Sequence, residues 1–89
     1  MKLLKFYTND CYQCQMLSRE LASFNLVPIE SIDCKEDSNN LILKFQVRSL
    51  PTLVLVDDNG EFLRKFIGHI TKEEVEGIVR SELRQWMSS

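Results

Sequence analysis

The run Leu53-Val54-Leu55-Val56, with Ser49-Leu50-Pro51-Thr52 in front and Asp57-Asp58-Asn59-Gly60 behind, most limits what this chain can fold into. A continuous apolar run between turn signals fits a strand buried on both faces, so the sheet that holds it needs cover on each side. Asp57-Asp58-Asn59-Gly60 is a hairpin signal, and Glu61 to Ile67 is expected to return as the neighbouring antiparallel strand until Gly68 interrupts it. At the front of the chain, Lys2 to Tyr7 carries Leu3, Leu4, Phe6 and Tyr7 without glycine or proline, a β-favouring composition. From Cys11 the pattern turns helical. Cys14, Leu17, Leu21 and Phe24 share one face, and Asn25 and Pro28 mark the end.

Thr8-Asn9-Asp10 supplies the turn before that helix, with the Asp10 carboxylate in position to cap it. A second strand is expected over Val27 to Asp33 through Ile29 and Ile32. Cys34 to Asn40 is polar and suits a loop. Asp37 or Ser38 then caps a helix over Asn39 to Phe45. Thr71 and Glu74 form a capping box for a last helix that buries Val75, Ile78, Val79, Leu83 and Trp86. Lys72, Glu73, Glu74, Glu82 and Arg84 are expected on its solvated side.

The order is β-α-β-α-β-β-α, and 89 residues suffice for a single domain, 1–89. The expected architecture is α/β: a four-stranded mixed sheet with helices on both faces, its first β-α-β unit a right-handed parallel crossover. Pattern alone leaves open the direction of the third strand relative to the first.

A net charge of −2, from 11 basic and 13 acidic residues, gives no electrostatic case for nucleic acid or an anionic membrane. No apolar run approaches the roughly 20 residues that span a bilayer. Met1-Lys2-Leu3-Leu4-Lys5 is too short and too soon charged for a signal peptide, so a cytoplasmic location is expected. Three cysteines do not make a disulfide framework, and in a reducing compartment a close pair points to catalysis or metal binding. Cys11 and Cys14 are such a pair. Three residues apart at a helix start, their thiols need little backbone movement to bond and part. Two other readings are open for them: a zinc site completed by Cys34 and His69, or an inert pair.

A Cys-x-x-Cys at a strand-to-helix junction in a β-α-β setting reads as a thioredoxin-like redox motif. Phe6-Tyr7 leading into Cys11-Tyr12-Gln13-Cys14, the segment Val47-Arg48-Ser49-Leu50-Pro51-Thr52, and Asp58-Asn59-Gly60-Glu61 followed by Gly68 together resemble the thioredoxin-like superfamily from Lys2 to about Trp86. The first strand and helix of full-length thioredoxins have no counterpart, which leaves a chain of glutaredoxin size. The resemblance implies that the third strand runs antiparallel to the first. It implies that Cys11 attacks a protein disulfide and Cys14 resolves the mixed disulfide, so that a redox-active disulfide serves in place of a cofactor or metal. Pro51 would be cis and would leave the carbonyl and N–H of Leu50 to an extended substrate, with Tyr12, Gln13 and Gly68 at the rim. A monomer re-reduced by a thioredoxin-reductase-type donor is implied as well.

The departures bear on tuning. Asp10 stands where the family has tryptophan, and beside Cys11 it disfavours the thiolate. Lys5 stands where thioredoxins carry a buried acid. If its amine reaches the thiols it lowers their pKa; the simpler expectation is a packed stem with the charge reaching solvent. Gly68-His69-Ile70-Thr71 lacks the glutathione clamp of glutaredoxins. A glutathione-dependent glutaredoxin-like enzyme and a non-catalytic module binding partners at the Leu50-Pro51 groove are the alternatives. Cys34 is expected as a semi-exposed thiol, His69 as a solvated loop residue and Tyr12 as exposed contact surface.

Overall fold

Every apolar stretch of the chain is built into or against one four-stranded sheet in the computed structural model, which describes residues 1–87. The elements are β1 (Lys2–Tyr7), α1 (Tyr12–Glu20), β2 (Ile29–Asp33), a 3₁₀ turn (Cys34–Glu36), α2 (Leu41–Lys44), β3 (Thr52–Val56), β4 (Phe62–Ile67) and α3 (Lys72–Met87). The strand order is β2-β1-β3-β4. β1 pairs with β2 in parallel and with β3 antiparallel, and β3 pairs antiparallel with β4. The direction of the third strand, open from pattern, is thus antiparallel to the first.

Strand alternation divides the core. Leu3, Leu53, Leu55 and Phe66 pack with Leu17, Leu21 and Phe24 of the α1 segment and with Ile70, Val75 and Val79 around α3. Leu4, Phe6, Val54 and Val56 point the other way, against Phe45 and the partly buried Leu41 and Ile42 of the α2 segment. Leu53 to Val56 are 0–1% exposed, as a strand covered on both faces requires. The hairpin closes on Gly60 at φ 79°, a conformation open to glycine, while the Asp57 carboxylate accepts from the N–H groups of Asn59 and Glu61.

Several boundaries differ from expectation. α1 ends at Glu20, with Leu21 as its C-cap, rather than running to Phe24; the following turn still buries Phe24, so helical spacing outlived the helix. β2 starts at Ile29, although the Pro28 carbonyl already accepts from the N–H of Leu3. Cys34 to Glu36 forms a 3₁₀ turn where a loop was expected, because the Asp33 carboxylate caps it through the N–H of Lys35. Glu82, expected in solvent, is 5% exposed and meets Arg64 Nη2 of β4 at 3.0 Å. Its helical position faces the sheet, and the cross-element cation removes the cost of an unpaired buried carboxylate. Trp86, expected in the core, is 51% exposed beside Leu83 and Met1 at the edge of the sheet.

α2 is shorter than the expected 39–45 and is held at both ends. Asp37 is its cap: the two carboxylate oxygens accept from the N–H groups of Leu41 and Ile42 at 3.0 and 2.8 Å. At the other end Gln46 takes φ 54°, Val47 N–H donates to Ile42 O, and Gln46 N–H donates to Leu43 O. This is the Schellman arrangement, in which glycine is the usual residue at the left-handed position. Lys65 Nζ from β4 donates to the carbonyls of Phe45 and Gln46 at 3.0 and 3.1 Å. A left-handed L-residue costs roughly 1–2 kcal/mol, and glycine's extra freedom in the unfolded chain costs roughly 0.5–1. Gln46→Gly is therefore expected to stabilise the fold by about 0.5 kcal/mol, read as a raised urea midpoint at unchanged slope.

Candidate active site

Strand pairing brings four connections to the end of the sheet where β1 stops. Tyr7 is opposite Asp33, Phe6 opposite Thr52, and Thr52 opposite Ile67. The turn from Thr8 to Cys11, the start of the 3₁₀ turn at Cys34, the residue Pro51 and the residue Gly68 therefore lie along one edge. The Leu50–Pro51 peptide is cis. Thr52 Oγ1 donates to Ser49 O at 2.7 Å, and Gly68 N–H donates to Pro51 O at 3.0 Å. Gly68, at φ 81°, thus belongs to the same edge as Pro51 through a hydrogen bond that local sequence does not announce.

Cys11 and Cys14 are joined as a disulfide with Cα atoms 5.2 Å apart. The helix cap is not Asp10, as expected, but Cys11 itself. Its backbone is extended (φ −97°, ψ 104°), and its Sγ accepts from the N–H of Cys14 at 3.1 Å. Asp10 sits one residue too early; fully exposed, its carboxyl is held below the usual range chiefly by a hydrogen bond from the Thr8 side chain, with its own backbone N–H and the Lys35 charge adding to this. The Cys11 N–H donates to Thr8 O and completes the turn. Leu17 and Leu21 anchor the helix to the sheet, and this sets how far each sulfur is buried. Cys14 is 2% exposed and Cys11 is half-buried. Tyr12, between them, is 71% exposed, and Gln13 is exposed too.

A sulfur at the cap receives the unpaired N–H groups and positive dipole end of the helix, which favour a thiolate there. The arrangement therefore places one half-buried sulfur at the helix cap, bonded to a second, sheltered sulfur behind it. Cys34 is a free thiol, half-buried against the cluster of Leu4, Phe6, Phe45, Val54 and Val56. Burial chiefly pushes its pKa up, Asp37 and Asp33 add to this, and a backbone hydrogen bond from Tyr7 opposes it. His69 is exposed. Among the described residues no group of three or more His, Cys, Asp and Glu side chains is placed to hold a metal ion, so the zinc arrangement with Cys34 and His69 does not form.

Lys5 lies on the α1 face of β1. Its Nζ donates to Ser18 Oγ at 2.5 Å, and Ser18 Oγ donates to Cys14 O at 3.1 Å. Partial burial lowers the Lys5 pKa. Ser18 did not stand out in the sequence. Its only signal is position, one helical turn after Cys14 on the face that meets odd-numbered residues of β1.

Residues 2–82 match the family described as Thioredoxin-like domain. The SPbeta prophage-derived thioredoxin-like protein YosR of Bacillus subtilis (strain 168) is 28% identical over 68 residues, covering 76% of this chain and 82% of that protein. Among solved structures, a single-substitution mutant thioredoxin from Halobacterium salinarum NRC-1 is 31% identical with a TM-score of 0.77, over 90% of this chain and 72% of the other. Thioredoxin 1 from Thermosipho africanus TCF52B superposes with a TM-score of 0.71 at 22% identity, over 94% and 96% of the two chains, a likeness of fold. With this sheet order and a disulfide at the cap of its first helix, the chain belongs to the thioredoxin-like domain family.

Proposed function

We propose that this protein is a thiol-disulfide oxidoreductase that reduces disulfides in other proteins, with Cys11 attacking and Cys14 resolving. The observation that carries the reading is the difference between two bonded sulfurs: Cys11 half-buried at the cap, Cys14 2% exposed beneath it. In the reduced protein the Cys11 thiolate attacks one sulfur of a client disulfide, that S–S bond breaks, and the client's other sulfur leaves as a thiolate. Cys14 then gives up its proton and attacks Cys11 Sγ. The mixed disulfide breaks, the client leaves fully reduced, and the Cys11–Cys14 bond is restored. A dithiol donor of the thioredoxin-reductase type returns two electrons and two protons. The rim is formed by Tyr12, Gln13, Gly68 and the Leu50-Pro51 backbone, where β3 has not yet begun and Leu50 lies outside the ladder. No helix among the described residues is long and apolar enough to cross a membrane, and the proposed setting is the cytoplasm, with the protein acting as a monomer.

Insulin reduction tests the reading. With dithiothreitol as electron source, the protein at micromolar concentration is expected to bring on precipitation of the insulin B chain several-fold sooner than dithiothreitol alone. Equal onset times would leave a disulfide-bonded binding module and sink the oxidoreductase reading.

A further inference from the structure

We propose that Lys5 supplies the positive charge that lets the sheltered Cys14 become a thiolate, making it a positioning residue for the second, client-releasing step. The inference rests on the oxidoreductase reading and adds to it how the resolving sulfur is activated.

Cys14 presents a physical problem. A thiol 2% exposed resists ionisation, because burial penalises the charged form. The favourable helix terminus acts on Cys11, which occupies the cap and takes the N–H of Cys14 itself. Cys14 needs another source of positive potential, and Lys5 is placed to provide it. Both residues line one open depression of about 270 Å³ beside α1, together with Tyr7, Thr8 and the solvent-exposed Asn9, Gln15, Ser18 and Ser31. The ammonium is fixed there by Ser18 Oγ, which in turn bonds the Cys14 carbonyl, so the cation is two hydrogen bonds from the residue it serves.

The surroundings leave that charge uncompensated. From β1 the cavity receives Lys5 and Tyr7, from the following turn Thr8 and Asn9, from α1 Cys14, Gln15 and Ser18, and from β2 Ser31. On the β3 side Lys5 is opposite Leu53. Tyr7 and Cys14 are the other titratable groups in that lining, and no carboxylate is among its described residues. Glu30 pairs with Lys2 and Glu82 with Arg64, so each of these carboxylates has its own cation. Burial lowers the Lys5 pKa from its usual 10.5, so the charge is lost earlier than usual as pH rises.

The step balances without a further reagent. Cys14 loses its proton to water through the open cavity, its thiolate attacks Cys11 Sγ, the Cys11–client bond breaks, and the departing client sulfur takes up a proton. Lys5 keeps its own proton throughout. In this role the residue is a counter-charge and not a base.

The test separates the two chemical steps in the full-length protein. Reduced protein is mixed with a peptide disulfide, quenched with acid at intervals, and the free, mixed-disulfide and oxidised forms are counted by mass spectrometry. Lys5→Met is expected to slow decay of the mixed disulfide about tenfold at pH 7 and to move its pH profile up by about one pH unit. The difference from wild type is expected to close at alkaline pH, where Lys5 itself loses its proton. Lys5→Arg, which keeps the charge, is expected to retain most of the wild-type rate. Circular dichroism confirms that each variant is folded. A folded Lys5→Met that resolves at the wild-type rate with an unmoved pH profile would overturn the proposal, and so would a Lys5→Arg as slow as Lys5→Met. If wild type itself formed no mixed disulfide, the oxidoreductase reading would fall first and this inference with it.

Discussion

Cys14→Ser is expected to turn the protein from one that releases its client into one that keeps it. Cys11 at the cap still has the backbone N–H of position 14 to stabilise its thiolate, since that bond does not involve the substituted side chain. Attack on a client disulfide therefore proceeds. A serine hydroxyl buried where Cys14 is 2% exposed cannot ionise near neutral pH or displace a sulfur, so the mixed disulfide has no internal route to decay. Turnover in the insulin assay is expected to fall by about two orders of magnitude or more, while non-reducing gels show a client-linked band approaching one per protein. Cys11→Ser is expected to lose turnover equally and to form no such band, because Cys14 is sheltered and burial holds the Cys34 thiol protonated to higher pH. A client-linked band in Cys11→Ser rather than Cys14→Ser would reverse the assigned roles.

Phe6→Ala is expected to lower stability by about 3–5 kcal/mol, a large part of the roughly 5–15 kcal/mol available to a domain of this kind. Phe6 is fully buried and centres the smaller core with Leu4, Phe45, Val54 and Val56. The cover on that face comes from the short α2 and its flanking loops, and α2 is tied down at both ends by Asp37 and Lys65. Collapse around a missing ring is therefore restricted, and most of the cavity cost remains. In thermal melts of the oxidised protein the midpoint is expected to drop by roughly 15–30 °C. A fall below about 5 °C would show that the α2 face relaxes freely, against the packing described.

Which features are legible in the sequence follows from the range of the interactions that make them. Leu53 to Val56, the Asp57–Gly60 hairpin and the Thr71–Glu74 capping box involve neighbours in the chain, and all three appear in the structure as expected; Thr71 Oγ1 donates to Glu74 Oε1 at 2.9 Å and accepts from Glu74 N–H. Cys11 and Cys14 were legible for the same reason, since three residues of helix bring them together. Asp10 looked like the cap because aspartate is the common choice there; a sulfur one residue later took the role. Leu21 and Phe24 kept a helical spacing beyond the end of α1 because burial, not helix continuity, set their positions. Glu82 reads as a solvated charge in sequence because its partner Arg64 is on another element, and no local pattern announces such a distant cation.

The amino-acid sequence determined the elements, the two-sided burial of β3 and the dithiol, since each depends on side-chain periodicity or on groups a few residues apart. Tertiary structure decided that β3 runs against β1, that Gly68 closes on Pro51, and which sulfur is sheltered. It also decided that Lys5 meets Ser18, one helical turn after Cys14. Those outcomes join groups 13 or more residues apart, and chain pattern carries no record of them until sheet register places one strand beside another.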